Sequence, residues 1–205
     1  MTVLTGVKAP FELTQYAIAI KQQGIDFVIR HYSHQAGKSL SLAEARALTD
    51  AGLQIGVLWE AADGHLGYYN RAQGCADGAA AYLMAQSVIA QPSGSVIYFA
   101  VPEVAGVEGA ASRYFEGINQ AFRAAAPDER QYQVGVYGSG ACCDRMVARG
   151  LATACWLADA EDGDYQDYSL RQQAGAVLPV DDGQRISVGV ARTSAARPAG
   201  LFRVL

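Results

Sequence analysis

The sequence predicts an α/β protein, a single (β/α)8 TIM-like barrel with reduced helices in its C-terminal third. Three observations carry that prediction. Short apolar runs rich in β-branched and aromatic residues alternate with helix-period segments from residue 3 to residue 158, joined by brief connections. Strand and helix in that rhythm mean parallel pairing through right-handed crossovers. Two further apolar runs follow without full helices beside them, bringing the strands to eight, and 205 residues is enough for a small barrel. A doubly wound open sheet is the competing architecture. It is weakened because no Gly-rich phosphate fingerprint follows the first strand. No internal repeat, low-complexity tract or linker divides residues 1–205, which read as one domain.

The first strand is "VLTGV" (3–7), followed by an amphipathic helix from Phe11 to Gln23 and the strand "GIDFVIRHY" (24–32). In "LSLAEARALTDAG" (40–52), Ser41 caps a helix, Glu44 sits three residues on, and Gly52 stops it. "LQIGVLWE" (53–60) is the third strand, and an alanine-rich helix runs from Ala72 to Ala90, closed by Gln91-Pro92. "SVIYFAV" (95–101) is the fourth strand, buried on both faces and ended by Pro102. A helix over 108–127, the strand "YQVGVYG" (132–138), a capped helix over 139–150 and the strand "TACWLA" (153–158) complete the regular part. The acidic segment "DAEDGDYQDY" then precedes the short strands within "SLRQQA" and "QRISVGVAR".

Composition excludes several functions. A formal net charge of −4 argues against a nucleic-acid or anionic-membrane surface. No apolar run is long enough to span a bilayer, and "MTVLTGVKAPFEL" carries no readable signal peptide. The expectation is synthesis in the cytoplasm, with export by a signal-independent route open. Cys75, Cys142, Cys143 and Cys155 have no metal-ligand spacing and read as reduced, mostly buried thiols. His31, His34 and His65 lack a supporting carboxylate cluster, so neither a metal nor another cofactor is expected.

In a barrel the chemistry sits at the C-terminal strand ends. Those ends supply Lys8, Arg30 with His31 and Tyr32, Trp59 with Glu60, Pro102 with Glu103, Tyr137, Asp159, and Gln172 with Gln173. Tyr98 and Trp156 lie nearby on their strands. Aromatic faces and amides suit sugars, the rings stacking on C–H surfaces and the amides pairing with hydroxyls. Lys8, Arg30, Tyr32, Trp59, Tyr98, Tyr137, Trp156 and Gln172 are the expected ligand-binding set, bordering one concave site.

"GIDFVIRHYS", "KSLSLAEARALTDAGLQIGVLWE", "IYFAV", "RYFEGIN", "VGVYGSG" and "WLADA", in that order and spacing, resemble the bacterial glycoside-hydrolase-like domain family. The resemblance covers roughly residues 5–192. It implies a TIM barrel related in architecture to the family 25 muramidases, and a glycan-directed site at the barrel top, with peptidoglycan as the candidate glycan. It also implies carboxylates that this chain lacks. The family ends its first strand with Asp where Lys8 stands, follows "YFAV" with Asp where Pro102 stands, and carries an acid on its last strand, where this chain has Ser187 and Gly189.

Glycoside hydrolysis normally needs a protonated carboxyl and a second carboxylate, about 5–9.5 Å apart. Losing a general acid or base costs roughly 10²–10⁴-fold each. The leading expectation is therefore a barrel that binds a glycan with degenerate catalysis. The alternative is an active hydrolase using Glu60 with Glu103 or Asp159. The third reading is a scaffold that binds a protein partner in a phage or secretion system. Neither nucleic acid nor membrane insertion is expected.

Overall fold

Eight strands pair in chain order and close on themselves in the computed structural model, which describes residues 2–33, 35, 37–60, 65–102, 107–126, 131–158, 165–181 and 183–205. They are β1 (Thr5–Lys8), β2 (Phe27–Tyr32), β3 (Gln54–Trp59), β4 (Val96–Ala100), β5 (Gln133–Gly138), β6 (Ala154–Leu157), β7 (Leu170–Asp181) and β8 (Gln184–Thr193). Consecutive strands from β1 to β7 are parallel, whereas β8 runs antiparallel to both β7 and β1. This corrects the expectation of eight parallel strands. A parallel crossover needs a dozen or more residues, and only a tight turn with Gly183 at φ +86° separates β7 from β8.

The two last strands are also longer than the sequence indicated. Past a register shift between Gln173 and Ala176 they form an arm beyond the barrel. The arm lies against α1 (Ala17–Gln22), where Gln23 donates to the Pro179 carbonyl and Gln184 to the Tyr16 hydroxyl. Val180, Ile186 and Val188 join Tyr16, Ala17 and Ile20 in one apolar layer. The arm thus covers wall that a seventh and eighth helix would otherwise cover.

The other helices are α2 (Leu42–Asp50), α3 (Arg71–Leu83), α4 (Val107–Ala125) and α5 (Gly140–Ala148). Ser41 caps α2 by accepting from the Glu44 N–H, and Ser139 caps α5 by accepting from the Cys142 N–H. A π-helical turn, Met84–Ile89, prolongs α3. Helices α3 and α4 meet backbone to backbone. A Cβ at Gly74 would lie 1.9 Å from the Tyr114 carbonyl oxygen, and one at Gly117 2.2 Å from that of Arg71.

The barrel interior holds Phe27, Ile29, Leu58, Val96, Tyr98, Trp156, Leu170 and Ala191. Tyr98 fits because Gly135 opposite it has no side chain; a Cβ there would stand 2.6 Å from the ring. The C-terminal segment closes the floor: Phe202 bridges to Ile55, and the Tyr98 hydroxyl donates to the Ala199 carbonyl at 2.9 Å. Outside the sheet, Cys143 of α5 and Cys155 of β6 form a disulfide with Cα atoms 5.7 Å apart. The expectation of four reduced thiols is corrected accordingly. Trp156 faces the barrel interior, so its neighbour Cys155 faces outward, onto the buried side of α5.

Candidate functional site at the barrel mouth

Strand parity decides which strand-end residues reach the mouth. On β2, Phe27 and Ile29 lie in the interior, so His31 also points inward while Val28, Arg30 and Tyr32 point to the helices. Three expected ligand contacts are therefore corrected. Arg30 is fully buried outside the barrel, donating from Nε to Glu44 Oε1 at 2.6 Å and from Nη1 to the Ala9 carbonyl at 2.8 Å. Tyr32 is buried, its hydroxyl donating to Gln91 Oε1 at 2.6 Å. Trp59 is buried in the same outer layer, and Glu60, one residue on, takes the inward position. Tyr98 does face inward but is committed to the floor, with its ring against Trp156. These side chains do not share one cavity. A cavity of about 640 Å³ lies elsewhere, between α3 and α4, lined by Tyr82, Leu83 and Ala121 among others.

The mouth brings together Lys8, His31, Glu60, Tyr137, Trp156 and Gln172. Lys8 Nζ sits 5.0 Å from the centroid of Tyr137 and 5.5 Å from that of Trp156, a pair of rings 4.3 Å apart. Burial lowers its pKa, and the nearby Glu60 charge partly restores it. Among the described residues, the Lys8 ammonium has no hydrogen-bond or ion-pair partner. Its stem passes beside Gly189 and the amide of Gln172; a Cβ at Gly189 would lie 3.4 Å from Lys8 Cβ and 3.1 Å from Gln172 Nε2.

Glu60 is clamped. His31 Nε2 lies 3.4 Å from its Oε2, and Lys38 Nζ donates to the same oxygen at 2.8 Å. The hydrogen bond from His31, with that from Lys38, outweighs partial burial and holds the Glu60 carboxyl down to about 2. Burial lowers the His31 pKa despite that bond, so the ring is neutral at pH 7 and gives its one N–H, on Nε2, to Glu60. His31 and Lys38 hold Glu60, whereas Arg30 is committed to Glu44. Lys38 lies in the connection between β2 and α2, whose residues carry no periodic signal that would place it at the mouth.

A general acid must be protonated at working pH, and Glu60 is not. Both of its partners draw on one oxygen, which also weakens it as a nucleophile or base. The other inward strand ends are Lys8, His31, Pro102, Tyr137, Gln172 and Gly189, so no second carboxylate stands there among the described residues. Ser187 lies exposed on the arm, paired with Val177. Glu103 and Asp159, the expected partners of Glu60, lie outside the described residues, as does His34. Among the described residues no group of three or more metal-ligating side chains gathers, and no helix is long and apolar enough to cross a membrane.

Residues 18–186 match the family model described as the Rv2525c-like, glycoside hydrolase-like domain. The chain belongs to this family. A curated relative, the uncharacterized protein FadG of Bacillus subtilis, is 27% identical over an alignment of 154 residues that covers 72% of this chain and 26% of FadG; the chain thus spans about a quarter of that protein. Among solved structures, the Tat-secreted protein Rv2525c of Mycobacterium tuberculosis, in complex with HEPES, superposes with a TM-score of 0.74 at 18% identity, covering 97% of this chain and 98% of that one. A bacterial lysozyme of Streptomyces coelicolor superposes at 0.58 with 14% identity, covering 97% and 96%. The family's glycoside hydrolase-like barrel is therefore related in fold to the lysozymes.

Proposed function

We propose that the barrel mouth binds a glycan, with a peptidoglycan fragment as the leading substrate class, and that the protein does not hydrolyse it. One observation carries this reading. The carboxylate at the mouth is locked in its charged form by His31 and Lys38, and an ammonium, Lys8, stands over Tyr137 and Trp156. In a hydrolase of this fold an acid near the sugar would stabilise an oxocarbenium-like transition state, and a cation reverses the sign of that field. The likeness in fold to lysozymes supports a sugar ligand, and the partly exposed Tyr137 ring, packed against the buried Trp156, offers the aromatic surface such ligands use.

The disulfide and the Tat-secreted relative support work outside the reducing cytoplasm. The test is to incubate purified protein with cell-wall sacculi and follow both co-sedimentation and release of reducing ends. The expected result is sedimentation without release, and gain of slow release in the Lys8→Asp/Pro102→Asp double variant. Release by the unaltered protein that Glu60→Gln abolishes would restore the hydrolase reading. Absence of any association would remove the glycan reading.

A further inference from the structure

Polar atoms at the mouth that have no partner specify more than "glycan". Among the described residues, Trp156 Nε1, Gln172 Oε1 and His31 Nδ1 are buried without a hydrogen bond. Trp156 is fully buried and His31 is 2% exposed, so solvent does not satisfy them freely. Buried polar groups left unpaired are costly, and a ligand that pairs them recovers that penalty. Their chemistry can be assigned atom by atom. The indole N–H can only donate. The Gln172 amide nitrogen is committed to the Gln173 carbonyl at 3.2 Å, which leaves its oxygen as an acceptor. His31 gives its N–H to Glu60, which leaves a lone pair on Nδ1. Lys8 supplies a cation not held by any described side chain, while Lys38 is already spent on Glu60.

Building on the glycan reading, we propose that the mouth is a subsite for a carboxylated sugar, whose carboxylate meets Lys8 and the Trp156 N–H and whose hydroxyls donate to Gln172 Oε1 and His31 Nδ1. A planar carboxylate with two oxygens fits one ammonium and one N–H donor. A phosphate would call for more donors than the described residues of the mouth provide. A neutral sugar would satisfy the acceptors but leave the Lys8 charge desolvated and unpaired. Gly189 is part of the device, since a side chain there would press on both Lys8 and Gln172. Glu60 does not oppose the carboxylate, because the Lys38 ammonium neutralises its charge.

The carboxylate can come from a uronic acid or from a lactyl ether, and matched ligands separate the two. Binding to the full chain at pH 7 is measured by calorimetry for methyl β-D-glucuronide against methyl β-D-glucoside, and for N-acetylmuramic acid against N-acetylglucosamine. At least one acid should bind about tenfold tighter than its neutral partner, the increment of one charge-assisted hydrogen bond. The pair that shows the difference names the source. In Lys8→Met the acid-to-neutral ratio should fall to about one, and Lys8→Arg should keep a preference. Equal affinity of acids and neutral sugars would overturn the carboxylate subsite and leave the glycan reading standing. Loss of all binding in the unaltered protein would overturn both. A preference that persists in a folded Lys8→Met variant would also overturn the proposal.

Discussion

Replacing Glu44 with Gln removes the counterion of a guanidinium that has no access to water. Arg30 and Glu44 are 0% and 1% exposed, and Glu44 also accepts from the Leu13 N–H at 2.8 Å while Arg30 holds the Ala9 carbonyl. The pair thus ties β2 to α2 and to the segment after β1. Glutamine keeps the shape but leaves Arg30 charged and uncompensated, which for a buried pair costs about 3–5 kcal/mol. For a domain of this size each kcal/mol moves Tm by about 2–4 °C, so the melting temperature should fall by roughly 6–20 °C. Thermal and urea denaturation followed by circular dichroism measure it. The double variant Arg30→Met/Glu44→Leu should recover much of the loss, since an apolar pair removes both desolvation penalties. It should also still sediment with sacculi, because Arg30 does not reach the mouth. A loss under about 1 kcal/mol in Glu44→Gln, or a stable double variant that no longer binds, would refute the assignment of Arg30 to structure.

Other outcomes are open to direct measurement. Glu60, held down to about 2 against an ordinary value of 4.5, should remain charged at pH 4 in a carbon NMR titration; Lys38→Met should move its midpoint upward, and an unshifted native midpoint would contradict the clamp. Because its folded pKa is depressed, the stability it contributes is complete above the ordinary carboxyl range and is lost as pH falls toward 2. Gly117→Ala forces a methyl against the Arg71 carbonyl and should lower stability by about 1–3 kcal/mol or more; an unchanged urea midpoint would deny the close approach of α3 and α4. Cys155→Ala opens a cross-link between residues 12 apart and should cost about 3 kcal/mol on the chain-entropy account, with thiol alkylation reporting one additional reactive cysteine.

The barrel was legible because its signals are local. Ser41, Gly52, Ser139 and Gly150 mark helix ends by backbone chemistry, and six apolar runs mark strands. The direction of β8 was not, because the signal is a missing helix, and apolar alternation reads alike in either direction. The mouth was half legible. Lys8, Tyr137, Trp156 and Gln172 came from strand ends alone, whereas Arg30, Tyr32 and Trp59 were misplaced by one residue of parity. On β2 the run Phe27-Val28-Ile29 is apolar on both faces, so nothing before Arg30 shows which side is inward. The clamp on Glu60 depends on Lys38, 22 residues away in sequence, and such a pairing exists only after β2 and β3 lie side by side.

The closed floor sets where the chain can be held. Leu4 enters there on Thr193, and the last residues leave there, Val204 donating to Thr49 Oγ1 and Phe202 paired with Ile55. Leu4 and Val204 therefore lie on the side opposite Lys8 and Glu60. Anchored to a bead or a sensor chip through either end, the molecule stands with its opening turned toward the solution, like a cup fixed by its base. Two such cups joined end to end would share a base-side tether, leaving both openings free to engage neighbouring sites on one polymer at once.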